Sequence, residues 1–320
     1  MTFKRYLCWT VGGAALASVT AASPAYTVPK PEPGDYVSHV QVRGMERSYR
    51  LHVPSGYRSA RRLALPVIFV FHGSNASASV IERETSFDAR ADSLGFFVVY
   101  PEGERRAWNI GECCHQAFRD HLDEAAFVTN IIGQLRDDFH VDTTRIYSTG
   151  YSDGATLSYM LACRIPHTLA AVAGISGTLF TPEPRCALPR PVPVMIVHGT
   201  ADRSIPYQGI KGGPPNGGGV HFNRSAPGVT SFWVQHDRCA SAPESVQHGN
   251  VVRVRYECPK SAEVLFYTIR GGAHGWPGGG RGWVFSPLPP TDMSATDTVI
   301  RFFFRHRLDE GDGATTLSRN

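Results

Sequence analysis

The sequence predicts an α/β fold in which helices cover both faces of a mainly parallel sheet. Continuous apolar runs, such as Leu65–Phe71 and residues 192–197, are typical of strands that are buried on both faces. From residue 65 onward these runs alternate with helix-like segments, which is the pattern of successive βαβ units. A Gly-x-Ser-x-Gly motif at 150–154 lies where one apolar run meets a helix-like run, and it indicates a sharp strand–turn–helix junction.

The other elements follow in chain order. Alternating apolar and polar residues predict two antiparallel strands at the sheet edge, at 37–42 and 48–54. Further strands are expected at 95–101, 169–175, 251–256 and 264–269. Helices are expected at about 80–94, 123–139, 155–162, 230–236 and 295–305, with Asp123 capping the second of them. Residues 209–228 are rich in Gly, Pro and Asn and predict an exposed loop.

Length and composition indicate one large globular domain. The chain has 320 residues, of which 42% are hydrophobic and 19% are charged, and this is enough to build a substantial core. The main domain is predicted to span residues 26–308, followed by a flexible polar tail at 309–320. The net charge is +4 without a long basic run, a balance that is ordinary for a soluble enzyme and does not favour nucleic-acid binding.

Residues 1–25 have the features of a secretory signal peptide. Lys4 and Arg5 form a basic start, an apolar stretch follows to about Ala22, and Ala22 and Ala25 are both suitable last residues before cleavage. The apolar stretch is short and contains two adjacent glycines, which disfavours a permanent membrane anchor. The protein is therefore expected to be secreted, either outside the cell or into a periplasm.

Because the chain is expected to be exported, its cysteines are interpreted as forming disulfides. An even number of cysteines in an exported chain indicates disulfides. Sequence order favours Cys163 with Cys186 and Cys239 with Cys258, each closing a loop of roughly 20 residues that adds about 3 kcal/mol. The remaining two either bond to each other or stay as free thiols, and no zinc-type spacing accompanies them, so no metal is expected. The six cysteines beyond the predicted signal peptide are Cys113, Cys114, Cys163, Cys186, Cys239 and Cys258.

Three polar residues follow predicted strands, in the order Ser152, Asp202 and His274. Because the carboxyl ends of parallel strands meet at one edge of a sheet, these side chains are expected to lie close together. A serine hydroxyl becomes a nucleophile when a neutral imidazole takes its proton, and a carboxylate holds that imidazole through its other nitrogen. The order Ser, Asp, His is that of the α/β-hydrolase arrangement, so these residues are predicted to form a catalytic triad.

The reaction also needs hydrogen-bond donors for an oxyanion. The predicted donors are the backbone N–H of Asp153, directly after the serine, and that of Ser74, after the first buried strand. The residues predicted to contact the substrate are Trp108, Tyr151 and Trp276, although large aromatic side chains such as the two tryptophans more often belong to the core.

Other residues compete for the catalytic roles. His72 and His198 also end strands before a glycine, and both are interpreted as structural groups that fill the strand end. Asp153 is adjacent to the serine and should point away from the histidine. Asp292 and Asp297 come after the predicted catalytic histidine, which breaks the expected order.

Six short motifs taken together are more specific than any one of them. They are His72-Gly73-Ser74, Trp108-Asn109, Cys113-Cys114, Gly150-Tyr151-Ser152-Asp153-Gly154, His198-Gly199-Thr200-Ala201-Asp202 and Gly272-Ala273-His274-Gly275-Trp276-Pro277-Gly278. The chain thereby resembles secreted feruloyl esterases and polyhydroxybutyrate-depolymerase-like esterases of carbohydrate esterase family 1, over roughly residues 36–306. The resemblance implies an α/β-hydrolase fold, ester hydrolysis through an acyl-enzyme, and no metal or organic cofactor.

The same resemblance implies the site residues. Ser152, Asp202 and His274 match the family's triad, the amides of Ser74 and Asp153 match its oxyanion hole, and the cysteine pairing above fits family members. Two features depart from the family pattern. Alanine stands at position 273, where a glycine is usual, and the Gly/Pro-rich loop at 209–228 is enlarged, which changes the predicted shape of the pocket.

The sequence is thus interpreted as an exported serine esterase whose partner is an ester substrate. The first choice is an ester of a hydroxycinnamate, such as ferulate, on plant cell-wall polysaccharide. A hydroxyalkanoate polyester and acetylated xylan are the alternatives, because specificity depends on loop geometry rather than on the shared motifs. A serine peptidase of the same fold and an inactive binding protein are more remote alternatives. The number of subunits is not predicted.

Overall fold

The computed structural model describes residues 32–57, 63–111, 116–181, 186, 190–210, 222–281 and 289–309. These residues all belong to one compact unit, which spans Pro31–Asn320. The predicted signal peptide, Cys113, Cys114, and most of the loop at 209–228 and of the tail at 309–320 lie outside the described residues. The predictions for those segments stay predictions.

The described residues contain strands and helices close to those expected, with boundaries that shift by a few residues. The strands are β1 (Gly34–Val42), β2 (Met45–Val53), β3 (Leu65–Phe71), β4 (Phe97–Pro101), β5 (Val141–Tyr151), β6 (Ala171–Ile175), β7 (Phe180–Thr181), β8 (Val194–Gly199), β9 (Phe222–Asn223), β10 (Glu244–His248), β11 (Val251–Glu257) and β12 (Glu263–Ile269). The helices are α1 (Ala78–Thr85), α2 (Phe87–Leu94), α3 (Gln116–Arg119), α4 (Glu124–Asp138), α5 (Asp153–Arg164), α6 (Ala226–His236) and α7 (Ala295–Phe303). The side chain of Asp123 caps α4, as predicted, by accepting the backbone N–H of Ala126.

Ten of these strands form one sheet, in the order β1-β2-β4-β3-β5-β6-β8-β12-β11-β10, and β7 pairs separately with β9. The central strands β4, β3, β5, β6, β8 and β12 run parallel. The strands at both edges pair antiparallel. Every residue of β3, β4, β6 and β8 is buried, which explains their continuous apolar sequences. The predicted mainly parallel α/β sheet is confirmed.

Helices cover both faces of the sheet, and each face has its own apolar core. One core contains Phe127 of α4 and Trp233 of α6. The other contains Phe87 of α2 and Phe303 of α7. Because both faces of the central parallel strands are covered, the polar side chains of those strands can reach solvent chiefly at the strand ends and in the loops that follow them.

Several elements differ from the sequence-based expectation, and the short elements α3, β7 and β9 were not expected. The helix expected at about 80–94 is split at Ser86, whose φ of 53° ends α1 and precedes α2. Strand β10 was not expected, because all five of its residues are exposed and Val246 is its one aliphatic side chain. Pairing with β11 through backbone hydrogen bonds, rather than burial of an apolar face, makes this segment a strand.

Two disulfides lie within the described residues, and both are the pairs that sequence order favours. Cys163 bonds to Cys186 across a separation of 23 residues, and Cys239 bonds to Cys258 across a separation of 19 residues. The first bond connects α5 to the segment before β8. The second connects the residues after α6 to the end of β11.

Reduction is expected to lower the melting temperature of the mature protein by roughly 10 °C or more. Each bond disfavours the unfolded chain by about 3 kcal/mol, and a large domain loses roughly 2–4 °C per kcal/mol. Calorimetry with and without dithiothreitol measures the shift, and a Cys163→Ala/Cys186→Ala/Cys239→Ala/Cys258→Ala variant is the control that should not respond. Before reduction only the thiols of Cys113 and Cys114 can react if they are free. An unchanged melt, with all six cysteines titrating as thiols, contradicts the bonding.

Candidate active site

Ser152 occupies the turn between β5 and α5, where its backbone has a φ of 57° and a ψ of −118°. A positive φ is uncommon for a residue with a side chain, so the surrounding structure must hold this turn in place. An added Cβ at Gly150 would lie 2.4 Å from backbone atoms of Gly154, and one at Gly154 would lie 2.2 Å from the carbonyl oxygen of Phe71. The Gly-x-Ser-x-Gly motif therefore reflects close packing of the turn on itself and on β3.

Asp202 and His274 follow β8 and β12, which are neighbouring parallel strands. Nδ1 of His274 lies 2.7 Å from Oδ2 of Asp202. The other carboxylate oxygen, Oδ1, accepts the backbone N–H groups of Ser204 at 2.9 Å and of Ile205 at 2.8 Å. The turn after β8 thus holds one oxygen of the carboxylate and leaves the other facing the imidazole.

Backbone contacts join the two loops that carry this pair. Ala201 donates its N–H to the carbonyl oxygen of Gly272 at 2.9 Å, and Gly271 donates its N–H to Oγ1 of Thr200 at 2.8 Å. A Cβ at Gly199 would lie 2.2 Å from the carbonyl oxygen of Gly272, so a larger residue would push the loops apart. These contacts keep the carboxylate and the imidazole at a constant separation.

The Asp202 side chain is fully buried. Burial alone would raise the pKa of its carboxyl group, but hydrogen bonds from His198 and His274, the attraction of His274 and the backbone N–H of Ile205 outweigh burial. Together they hold the pKa of Asp202 well below its usual range. The group is therefore a carboxylate at neutral pH, which can orient the neighbouring imidazole and stabilise an imidazolium.

The imidazole of His274 also packs against Tyr151, the residue before the nucleophile candidate. The two ring centroids lie 4.8 Å apart with an interplanar angle of 39°. Burial raises the pKa of Tyr151 well above its usual range, so the phenol stays protonated. Tyr151 thereby holds the imidazole beside the turn that carries Ser152, and its predicted contact with the substrate stays a prediction.

The loop after β3 runs beside the same turn. A Cβ at Gly73 would lie 3.2 Å from Cβ of Ser152, so a side chain there would press on the serine. The next residue, Ser74, donates its hydroxyl hydrogen to the carboxylate of Asp153. Asp153 is the first residue of α5, where the helix dipole favours negative charge. The two residues predicted to supply oxyanion donors are therefore in contact with each other at the nucleophile turn.

The model of the esterase PHB depolymerase family matches residues 47–210, just over half of the chain. The chain belongs to the esterase PHB depolymerase family. The matched region runs from β2 to the residues after β8, and it includes Ser74, Ser152 and Asp202.

The similarity to known proteins extends beyond the region that the family model matches. The putative esterase NocK of Nocardia uniformis subsp. tsuyamanensis is 27% identical over 278 residues, which is 82% of this chain and 80% of NocK. Feruloyl esterase B of Piromyces equi is 28% identical over 72% of this chain, and the match spans 43% of its own length. The solved structure of the acetyl xylan esterase from Aspergillus awamori shares the fold, with a TM-score of 0.59 at 14% identity over 84% of this chain and 99% of its own. The protein is a carboxylic ester hydrolase with an α/β-hydrolase fold.

The structure corrects two predicted substrate contacts of this esterase. The side chain of Trp108 is fully buried, and its indole N–H donates to the carbonyl oxygen of His72 at 2.8 Å. Trp276 is also fully buried, and its N–H donates to Oγ1 of Thr296 at 2.9 Å. Both indoles fill the apolar cores with a satisfied N–H, because a large ring stabilises the fold most when it is removed from water. Neither offers a surface to a substrate.

His72 is structural, as predicted. Its Nδ1–H donates to the carbonyl oxygen of Gly73 at 2.8 Å, and its Nε2 accepts the backbone N–H of Gly103 at 2.9 Å. Burial lowers the pKa of His72 to about 4, so the ring is neutral at physiological pH. These two hydrogen bonds fix the start of the loop that carries Ser74.

His198 has a contact that the sequence does not reveal. Its Nε2 lies 2.8 Å from the carbonyl oxygen of Ile205 and 3.3 Å from Oδ2 of Asp202. The sequence predicts only that this residue fills the end of β8. The contact arises because the turn after β8 folds back over the strand end, and no spacing in the sequence specifies that path.

A possible ligand set for a metal lies apart from these residues. Among the described residues, one group has suitable polar atoms within 4.8 Å of one another, namely Asp35, His52 and Asp88. These residues belong to β1, β2 and α2, at the sheet edge. Nδ1 of His52 already lies 2.7 Å from Oδ1 of Asp35, and Tyr100 donates its hydroxyl to Oδ1 of Asp88 at 2.7 Å. None of these three residues belongs to the predicted triad or oxyanion hole.

Proposed function

We propose that this enzyme hydrolyses carboxylic esters through an acyl-enzyme formed on Ser152. The observation that carries the proposal is the 2.7 Å contact between Nδ1 of His274 and Oδ2 of the buried Asp202, beside a strained turn that presents the serine. A carboxylate on Nδ1 keeps that nitrogen protonated and leaves Nε2 of the imidazole free to accept a proton.

The proposed reaction has two stages. In the first, Oγ of Ser152 attacks the ester carbonyl carbon while Nε2 of His274 takes the hydroxyl proton, and the same proton then passes to the departing alcohol oxygen. In the second, His274 takes a proton from water, which attacks the acyl carbon, and then returns that proton to Oγ of Ser152 as the acid leaves and the serine is regenerated. In both stages the backbone N–H groups of Ser74 and Asp153 are proposed to bind the oxyanion, and each such donor contributes about 3–4 kcal/mol.

We propose a hydroxycinnamate ester of plant cell-wall polysaccharide as the substrate. The similarity to feruloyl esterase B over 72% of this chain supports this choice. A hydroxyalkanoate polyester is the second candidate, because the matching family is that of esterase PHB depolymerase. Acetylated xylan is the third, supported by similarity over 53% of the chain to a bifunctional acetylxylan esterase/xylanase of Neocallimastix patriciarum.

Methyl ferulate is expected to be hydrolysed with a kcat/KM of about 10⁴ M⁻¹s⁻¹ or higher, the ordinary range for a good substrate. The comparison is with p-nitrophenyl acetate, an activated ester that most serine esterases accept, and the Ser152→Ala variant is the blank for both. Turnover of the acetate without turnover of methyl ferulate would exclude the feruloyl substrate while leaving the mechanism in place. Release of hydroxyacids from polyhydroxybutyrate, or of acetate from acetylated xylan, would then identify the substrate.

We also propose that the enzyme acts outside the cytoplasm. The two disulfides support this location, since such bonds persist in oxidising compartments. In the described part of the chain, none of the helices has the length and apolar character that a membrane crossing needs. Fractionation of producing cells tests the proposal, with the mature protein expected in the medium or periplasm. Intact precursor confined to the cytoplasm contradicts it.

A further inference from the structure

His198 shares one carboxylate oxygen with the proposed catalytic base. Oδ2 of Asp202 faces Nδ1 of His274 at 2.7 Å and Nε2 of His198 at 3.3 Å. The other oxygen is already held by two backbone N–H groups of its own turn. The negative charge that Oδ2 presents is therefore divided between two imidazole rings.

The surroundings of His198 determine which of its nitrogens carries the hydrogen. Nε2 lies 2.8 Å from the carbonyl oxygen of Ile205, which can only accept a hydrogen bond, so Nε2 is the protonated nitrogen. Nδ1 is buried and has no hydrogen-bond partner among the described residues. A hydrogen on Nδ1 would have no acceptor there, so the ring can donate only towards Ile205 and Asp202. The 1% exposed side chain cannot exchange these partners for bulk water.

Among the residues that the structure describes, few charged and titratable groups lie around the two rings. Asp202 faces both, Tyr207 packs edge-on at 6.0 Å from the His198 ring centroid, and Tyr151 packs on His274. The Tyr207 hydroxyl is engaged with Oγ1 of Thr268 at 2.9 Å. Burial raises the pKa of Glu84 to about 7, and above that pH its negative charge adds to that of Asp202 at Tyr151.

We propose that His198 is a positioning residue that shares Oδ2 of Asp202 with His274 and thereby sets the pH range in which His274 acts as the base. The proposal rests on the triad described under Proposed function. A second donor on Oδ2 reduces the charge available to stabilise the imidazolium of His274. The base consequently remains unprotonated to a lower pH than it would beside an unshared carboxylate. The bond from Nε2 to Ile205 also ties the end of the turn to β8.

Replacing His198 by phenylalanine removes the donor while keeping a ring of similar size. The acidic limb of the kcat/KM–pH profile is expected to move to higher pH by roughly half a unit to one unit. His198→Gln can place an N–H near the position of Nε2. The acidic limb of its kcat/KM–pH profile should therefore lie close to that of the unmodified enzyme. His236→Phe is the matched control, because Nε2 of His236 also contacts a carbonyl oxygen, that of Cys186 at 2.7 Å, away from Asp202. The His236→Phe variant should lower the melting temperature without shifting the acidic limb of the kcat/KM–pH profile.

The proposal is overturned if the acidic limb of the kcat/KM–pH profile of His198→Phe does not shift, or if it shifts to lower pH. If that variant does not fold, ¹⁵N-histidine NMR of the unmodified protein replaces it. The expected spectrum has the His198 hydrogen on Nε2 throughout the titration of His274, and a hydrogen on Nδ1 would also overturn the proposal. Turnover that survives in Ser152→Ala would instead remove the proposed mechanism. If Ser152→Ala abolishes turnover and the acidic limb of the His198→Phe profile does not shift, only the proposed role of His198 is excluded.

Discussion

Ser152→Ala is expected to reduce ester turnover by about 10⁵-fold or more while leaving the fold intact. Without Oγ there is no nucleophile for the acyl-enzyme, and the paired Asp202 and His274 have no hydroxyl to activate. Alanine keeps the Cβ that already lies beside Gly73, so the backbone strain at a φ of 57° is the same in both proteins. The melting temperature should therefore change by no more than a few degrees.

Ser148→Ala is the matched control for this experiment. Ser148 lies on β5, the same strand as the nucleophile turn, and donates its hydroxyl to Ser158 at 2.9 Å. Ser158 in turn donates to the carbonyl oxygen of Gly154 at 3.0 Å, and this hydrogen bond does not require the hydroxyl of Ser148. This variant should retain most of its turnover. Kinetics on p-nitrophenyl acetate and labelling with a fluorophosphonate compare the two variants, and labelling of Ser152→Ala at the rate of the unmodified enzyme would place the nucleophile elsewhere.

Asp202→Asn is expected to lower kcat by about 10³–10⁴-fold. Oδ1 of the new amide would keep the two backbone N–H groups of Ser204 and Ile205, which are donors and require an acceptor. The amide nitrogen would then occupy the place of Oδ2 and point its hydrogens at His274. A donor at that place forces the hydrogen of the imidazole onto Nε2, the nitrogen that must be free to accept the serine proton.

Asp237→Asn separates this effect from the loss of any buried carboxylate. The Asp237 carboxyl is also fully buried, and its Oδ1 lies 3.5 Å from Nδ1 of His236. That variant should change stability but leave kcat close to its original value. Stopped assays at a pH on the plateau of the rate profile give kcat for both variants, and near-normal kcat in Asp202→Asn would show that another group orients the imidazole.

Much of the fold was predictable because its signals are local. A strand that is buried on both faces needs a continuous apolar run, so β3 and β8 are visible in the sequence itself. The same holds for the turn at Ser152, where glycine is required on either side by contacts shorter than any side chain allows. Strand ends in a parallel sheet meet at one edge, so the proximity of Asp202 and His274 also followed from their order along the chain.

The positions of the large aromatic side chains did not follow from the sequence. Trp108 and Trp276 lie in loops close to predicted catalytic residues, and both were predicted to contact the substrate although core positions are more usual for large aromatic side chains. Each is fully buried instead, because the space that remains after the helices pack on the sheet accepts an indole and offers its N–H a partner. Strand β10 could not be predicted either, because all of its residues are exposed and its sequence therefore lacks the apolar pattern of a buried strand.

The amino-acid sequence was thus sufficient to predict the mainly parallel part of the sheet and the order of its polar strand ends. These follow from periodicity and from the geometry of a parallel sheet, which are properties of short segments. The sharing of Asp202 by His198 and His274 was visible only in the folded molecule. It depends on a turn that crosses back over β8 and on a neighbouring strand from 60 or more residues later, and only the packing of those elements brings the three side chains within hydrogen-bonding distance.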